Sequence, residues 1–540
     1  MSAVNFTRRD VLAALLGVPV ALASCNSNKN PPLPPGEIVG ASDIAGHRLR
    51  ERNAITPSSD QWQSAKVVII GGGVAGLTAA WRLLRSGFED FILIELEREP
   101  GGTARSGSSG IVSYPWGAHY LPVPMKENAA LISLLDEMNV LEGRDSEGEP
   151  VVAEQFLCRE PEERIFYRGR WYEGLYLRAG ASREDLAELE AFNMEINRFA
   201  AMRDARGRRA FAIPVAAGSD DAEITALDKI SMGEWLDRKG WRSSRLRWFV
   251  EYGCRDDYGS LIDQTSAWAG LFYFASRMKK PGDEAQPFMT WPEGNGRLVA
   301  HLYDKVKSKV RLGLAAMEII PTDQQGKRGV DVIALDYDGE KAAGFHADRV
   351  ILAAPHFLAP YLVRPYRDAP PPHTAEFQYS AWMVANLFLK DRPLSRGFPL
   401  SWDNVIYESK SLGYVVATHQ RGLDYGPTIF TYYYPLCDDD AREAREKLLQ
   451  ADRDDWAEVA LADLTRAHPG IRETVERIDV MRWGHAMIKP RPGFVWSEAR
   501  QQAARPYRGI HFAHSDLSGL ALFEEAFYHG LRAADEVLSR

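Results

Sequence analysis

The 540-residue chain has only four cysteines, with no C-x-x-C pair and no Cys/His run at metal-ligand spacing. Neither a disulfide framework nor a structural zinc site is expected, and no metal is assigned. A basic surplus is also missing: Lys and Arg number 65 against 74 Asp and Glu, a net charge of −9. A general nucleic-acid binder would carry excess cations to displace counterions, so nucleic acid is not expected as a partner. The uncharged apolar run near the start, Val11 to Ala23, has 13 residues, too few to cross a bilayer core that needs about 20. Otherwise the composition is that of a globular protein, 45% apolar, 26% charged and 11% aromatic, with length for roughly two to four domains.

Residues 1–25, MSAVNFTRRDVLAALLGVPVALASC, set Arg8 and Arg9 before that apolar run and Cys25 after it, the order of an export signal. The stretch Thr7 to Leu12 resembles a twin-arginine signal, and Leu22-Ala23-Ser24-Cys25 resembles a bacterial lipobox. The resemblance implies export, lipidation of Cys25 and a membrane anchor at the periplasmic face. Residues 26–64 open with NSNKNPPLPPGE and are expected to be an irregular linker until about Ser64. Without Cys25 an odd number of thiols is left, Cys158, Cys254 and Cys437, so at least one is free or paired between chains.

The strongest signal begins at Lys66. In KVVIIGGGVAGLTAAWRLLRSG the β-branched run Val67 to Ile70 predicts a buried parallel strand. A helix follows, with Leu77, Ala80, Leu83 and Leu84 on one face and Gly87 where a C-terminal cap is wanted. Gly71, Gly73 and Gly76 form GxGxxG in that context: a tight turn, close backbone approach to a pyrophosphate, and close helix–strand packing, with the diphosphate on the helix N-terminus. A second strand, Phe91 to Ile94, ends at Glu95, placed to accept hydrogen bonds from a ribose hydroxyl pair. The pattern fits FAD and NAD alike.

Residues 95–107, ELEREPGGTARSG, separate the two cofactors. Here the chain resembles the flavin-containing amine oxidase superfamily, which also includes protoporphyrinogen oxidases and carotenoid desaturases. Members carry a double glycine after the ribose acid, followed by an arginine against the FAD diphosphate. Gly101 and Gly102 match, Thr103 holds the usual arginine position, and Arg105 is the candidate to supply the charge. At the far end IHFAHSDLSGLALFEEAFYHGLRAA (510–534) resembles the superfamily's C-terminal return to the cofactor, with Asp516 as its acid and His514 in place of the customary glycine. A strand end feeding a helix N-terminus aims N–H groups at the electron-rich edge of a reduced flavin. The resemblance implies FAD contacts at Gly71, Gly73, Val74, Ala75, Gly76, Glu95, Gly101, Gly102, Arg105, Gly117, Met317, Asp516, Leu522 and Phe523. With no cysteine in the C-terminal motif, it implies non-covalent FAD.

Three strands, in 311–321, 329–339 and 347–355, are expected next: an alternating pair, the first passing the adenine at Met317, then a buried strand. TWPEGNGRLVAHL (290–302) resembles the turn and helix leading back from the substrate domain. The implied fold class is α/β: a two-domain FAD-binding Rossmann-like fold of glutathione-reductase type, with an interleaved α+β substrate domain containing a mixed sheet. The FAD domain is assigned to 65–150, 285–365 and 480–540, the substrate domain to 151–284 and 366–479. In the latter, 163–176, 268–274 and 428–436 are aromatic and read as β-rich.

Oxidation of a C–H bond by a flavin needs geometry first: the donor carbon about 3–3.5 Å from the accepting nitrogen, with water kept out. Superfamily amine oxidases commonly add a lysine near that nitrogen. The equivalent position falls near Val384, with Lys390 beyond the strand, so the lysine is absent. His119, in SYPWGAHYLPVP, is placed by the resemblance beneath the flavin, and His485, in RWGHAMIKPRPG, before the C-terminal motif. Both are catalytic candidates, since an imidazole accepts a proton near neutral pH. Three readings stand: an FAD-dependent oxidoreductase taking hydride from an amine or similar C–H donor and passing electrons to oxygen or a quinone; a desaturase or protoporphyrinogen-oxidase-like enzyme on a lipid-soluble substrate; and a non-catalytic flavin-bearing binding protein.

Overall fold

The computed structural model describes residues 32–51, 55–280, 282, 287–324, 327–438 and 440–539. The export signal and Cys25 lie outside them. A seven-stranded sheet runs in the order Val310–Arg311, Phe91–Ile94, Trp62–Ile70, Ala342–Leu352, Lys327–Asp336, Leu314–Gln324, and Ile510–Phe512 pairs with Ala342–Leu352. Trp62–Ile70 lies parallel to both its neighbours, and Val67 to Ile70 are buried as their unbroken β-branched run requires. Helix Val74–Arg85 follows and stops at Gly87, whose φ of +74° is the left-handed cap a glycine supplies. Helix Phe523–Leu538 packs across it so closely that a Cβ on Gly530 would lie 2.4 Å from the Ala75 carbonyl oxygen.

The second sheet is eight-stranded and mixed, in the order Ile38–Val39, Val475–Ile488, Tyr379–Leu389, Thr428–Pro435, Gly413–Val416, Asp403–Ile406, Glu163–Tyr167, Arg170–Glu173. The pairings of Ile38–Val39 with Val475–Ile488 and of Asp403–Ile406 with Glu163–Tyr167 are parallel, and the others are antiparallel. This α/β architecture with mixed sheets matches the expected fold class.

Three expectations need correction. Residues 268–274 are helix, within Ala267–Ala275, not strand. Ser266 caps the helix by accepting from the Ala269 N–H, and it is apolar on every side because it is buried on nearly every side; a short apolar run carries no periodicity to tell helix from strand. The segment before Ser64 is not irregular throughout: it contains strand Ile38–Val39 and helix Asp43–His47, and the first sheet strand begins at Trp62. The boundary drawn at residue 480 falls inside strand Val475–Ile488, which pairs with Tyr379–Leu389 along most of its length. Cys158, Cys254 and Cys437 are all buried free thiols.

Candidate active site

The glycine turn is built by steric necessity. Gly71 has φ +106°, and a Cβ there would sit 2.4 Å from the Ala353 carbonyl oxygen; at Gly76 it would sit 1.9 Å from the Gly71 carbonyl oxygen. Gly73 caps helix Val74–Arg85 with nothing within 4 Å of its missing Cβ, so the space above it is open. Val74 and Ala75 form the first helical turn, where backbone N–H groups have no partner within the helix. The Gly72 and Glu97 N–H groups donate to the two Glu95 oxygens, while burial pushes the Glu95 carboxyl above its ordinary range. Gly101 and Gly102, at φ +118° and +57°, tie the next loop back through the Gly101 N–H to the Gly72 carbonyl at 2.8 Å.

Arg105 follows that loop. Its guanidinium is buried, its Nε has no partner, and no carboxylate lies within 4 Å of it among the described residues. A buried cation left this way is costly unless an anion meets it, and a diphosphate is such an anion. Thr103, in the position where an arginine was expected, accepts at its carbonyl from the Ala118 N–H, and Gly117 must be glycine there because a Cβ would lie 2.2 Å from the same oxygen. Met317 is buried at a bulge in strand Leu314–Gln324. Asp516 is buried and held by Tyr379 Oη at 2.6 Å, the His356 N–H at 2.9 Å and His514 Nδ1 at 2.9 Å. Burial works against its charge, yet His514 and these hydrogen bonds keep its carboxyl below the usual range. That gives a reason for His514 where a glycine was expected. A turn that only glycines allow, an acid at the strand end and a buried cation with no carboxylate in contact fit FAD.

Beside this cradle lies a cavity of about 140 Å3. Residues 117–120 line it, and the segment 115–120 that carries them is pinned from the eight-stranded sheet: Asn386 Nδ2 donates to the Pro115 carbonyl, Trp483 Nε1 to that of Trp116, and Tyr433 Oη to that of Gly117. Tyr252, Trp382, Tyr433 and Trp483 contribute aromatic wall; Leu522 and Phe523, at the start of helix Phe523–Leu538, close another side. Among the described residues no lysine lines it, and Val384 is part of the wall.

Four acids, Asp256, Asp257, Asp403 and Glu524, line the cavity together with Arg277, Asn295 and His119. Asp257 is bidentate to Arg277 Nη2 at 2.7 and 2.9 Å, both residues being buried; burial raises its carboxyl and the Arg277 guanidinium works against that rise. Burial and the charge of Asp257 then push the Asp256 carboxyl up. Asp403 stands directly across from Glu163 in the parallel register, so two carboxyls share one face of neighbouring strands. Burial pushes Asp403 up to about 7, and burial with Asp403 pushes Glu163 up to about 8. Tyr252 Oη donates to Asp403 at 2.8 Å and Tyr120 Oη to Asp256 at 3.2 Å. Among the described residues, Asp256, Asp403 and Glu163 have no cation within 4 Å.

The two candidate histidines part company. His119 lines the cavity, packed against Tyr433 with ring centroids 4.8 Å apart, and burial lowers it to about 4, so its imidazole is neutral at working pH. His485 lines a separate cleft, stacked on Phe357 at 4.0 Å, and burial with Arg445 and Arg50 lowers it to about 3. Simple alternation would put it on the same face as Trp483, but a bulge sets Gly484, His485 and Ala486 against Ala381 alone and turns it away. The sequence reading missed Asp256, Asp403, Glu163 and Arg277. The signal within reach was the Asp256-Asp257 pair in the last turn of helix Ser244–Tyr258, beside Tyr252 and Tyr258.

A family model described as flavin containing amine oxidoreductase matches residues 74–538. Wild-type putrescine oxidase bound to putrescine superposes with a TM-score of 0.61 at 18% identity, covering 89% of this chain and 100% of that one. Cyclohexylamine oxidase from Brevibacterium oxydans IH-35A gives 0.59 at 16% identity, covering 88% and 100%. At these identities the likeness speaks for the fold.

Proposed function

The chain belongs to the flavin-containing amine oxidoreductase family and is an FAD-dependent oxidoreductase, and from that premise we propose that it oxidises an amine that arrives as a cation, with FAD held non-covalently. The observation that carries this reading is the set of unpaired carboxyls, Asp256, Asp403 and Glu163, in and beside an aromatic cavity. A tunnel for a polyene or a porphyrinogen would gain nothing from buried acids, whereas an ammonium meets carboxyls that no cation within 4 Å neutralises and that its own charge draws towards the ionised form. FAD, when bound, supplies the acceptor for hydride. The aromatic wall excludes water, and the pinned 115–120 segment fixes where a donor carbon can lie. An ammonium must shed a proton before its neighbouring C–H bond can yield hydride, and carboxyls that titrate near neutrality are matched to take that proton. His119, neutral and packed among aromatic rings, serves as wall. With no lysine among the described residues of the lining, a quinone is the electron acceptor we favour over oxygen.

Anaerobic bleaching of the flavin by a panel of amines tests the reading; bleaching by polyenes or porphyrinogens alone would end it. Replacing Asp256 or Asp403 by Asn should raise KM for the amine about 10- to 100-fold at unchanged flavin content, the worth of one charge-assisted hydrogen bond. The pH dependence has a definite sign. Carboxyls raised in the folded state contribute stability that is complete below about pH 4, where the unfolded chain's carboxyls titrate, and is lost as pH rises to about 8. A cationic ligand reverses this by favouring the ionised form, so amine binding between pH 6 and 8 should release protons, read by calorimetry in buffers of different ionisation enthalpy.

We further propose that residues 1–25 direct export by the twin-arginine route and that lipid on Cys25 holds the enzyme at the periplasmic face of a membrane. Exchange of Cys25 for Ser should move the protein from the membrane fraction to the soluble one.

A further inference from the structure

Residues 38–50 form a strap across the residues to which the sequence assigns the ADP half of FAD. It starts at the edge of the eight-stranded sheet, where Ile38 and Val39 pair in parallel with Val480 and Met481. Gly40 then turns at φ +110° in a gap that admits no side chain: a Cβ would lie 1.7 Å from Met481 Sδ and 2.7 Å from Arg105 Nη2. The Ser42 N–H donates to Glu97 Oε1 at 2.8 Å, two residues beyond Glu95, and Ser42 Oγ caps helix Asp43–His47. Arg48 donates to the carbonyls of Tyr337 and Asp338, in the turn after strand Lys327–Asp336. Leu49 is buried in the apolar cluster that holds Ile70, Ile94, Met317 and Leu352, which include the last residues of three parallel strands. The strap thus meets the loop of the ribose acid, the buried cation and the strand assigned to adenine.

We propose that this strap is a clamp on the cofactor, closing the ADP half of the FAD site and slowing FAD release; the proposal rests on FAD lying along the glycine turn. A segment that replaced the cofactor would have to meet the charge of Arg105, and this one does not. It brings only the Gly40 backbone to the guanidinium, while Glu37 pairs with Arg477 and the Arg105 Nε keeps no partner. The charge is left for an anion that the strap then covers. The anchors are of two kinds, one apolar at Leu49 and one polar at Arg48, so the clamp can be loosened in two independent ways.

The test is the rate of FAD release from purified holoprotein after dilution, followed by flavin fluorescence, for Leu49→Asp and Arg48→Ala. Leu49→Asp should speed release about tenfold or more, the factor that burial of one leucine side chain is worth, and Arg48→Ala a few-fold. Trypsin should cut after Arg48 or Arg50 more slowly in the FAD-loaded protein than in protein stripped of FAD. Arg48 is only half-buried and contributes no apolar side chain to the core, so that variant reads the clamp even if Leu49→Asp folds poorly. Release unchanged in both variants, with strap cleavage indifferent to FAD, would overturn the clamp while leaving the cofactor site intact. Tighter FAD binding in the variants would overturn it in favour of a competing segment. A wild-type chain that takes up no FAD would remove the premise instead.

Discussion

Gly76→Ala should leave the enzyme almost without flavin. The new methyl would lie 1.9 Å from the Gly71 carbonyl oxygen and 3.3 Å from Ala353 Cβ. The first of these is backbone in the tight turn, so it cannot swing aside as a side chain would. Helix Val74–Arg85 must then move off the sheet, which takes the N–H groups of its first turn away from the diphosphate and opens the packing of Leu77, Ala80 and Leu83. Overpacking of this kind costs about 1–3 kcal/mol and sometimes more, and bound flavin per chain should fall below about a tenth of wild type. Gly73→Ser is the discriminating control. Nothing lies within 4 Å of its missing Cβ and its φ is −75°, and serine is a good helix cap, so stability should stay within about 0.5 kcal/mol. If the open space above Gly73 belongs to the nucleotide, flavin should still bind more weakly. Full flavin content in both variants would mean that the cofactor does not use this turn.

The largest loss of stability is expected from Arg277→Met. Arg277 and Asp257 are 5% exposed each and joined by two short hydrogen bonds. Removing the cation strands the Asp257 charge beside Asp256, and breaking a buried pair from one side costs about 3–5 kcal/mol. Urea unfolding of the variant should show this at pH 7, with less of it at pH 5, where the carboxyl can take up a proton. The double variant Arg277→Met with Asp257→Leu should recover most of the loss, because no buried charge is left over. A single variant that unfolds within about 1 kcal/mol of wild type would mean that the pair is solvated in solution.

Which parts of this molecule were legible in its sequence follows from the range of the forces involved. The glycine turn, Glu95 and the first strand–helix unit could be read because each is decided within a few residues by sterics and burial. The acids of the cavity could not, since Glu163, Asp256 and Asp403 come from three separate stretches and become a charge cluster only when two strands and a helix meet. His485 is turned from the cavity by a bulge that no local pattern announces, and helix Ala267–Ala275 reads as strand because its apolar run has no period in it. The strap was hidden for another reason: the prolines just before it, and its own glycines and polar residues, read as linker, and its order comes from the partners it finds on the folded body.

The three thiols hold one more consequence. Each is buried in a different setting, Cys158 near the cavity wall, Cys254 inside helix Ser244–Tyr258 and Cys437 just past strand Thr428–Pro435, and burial pushes all three up, Cys437 to about 12. Thiolate, the form that reacts, is therefore almost absent from the native state. An alkylating reagent meets these sulfurs only when their surroundings open, so the order in which the three positions become labelled records which part of the enzyme breathes first. The native chain thus carries its own site-resolved clock for local unfolding, with no added probe.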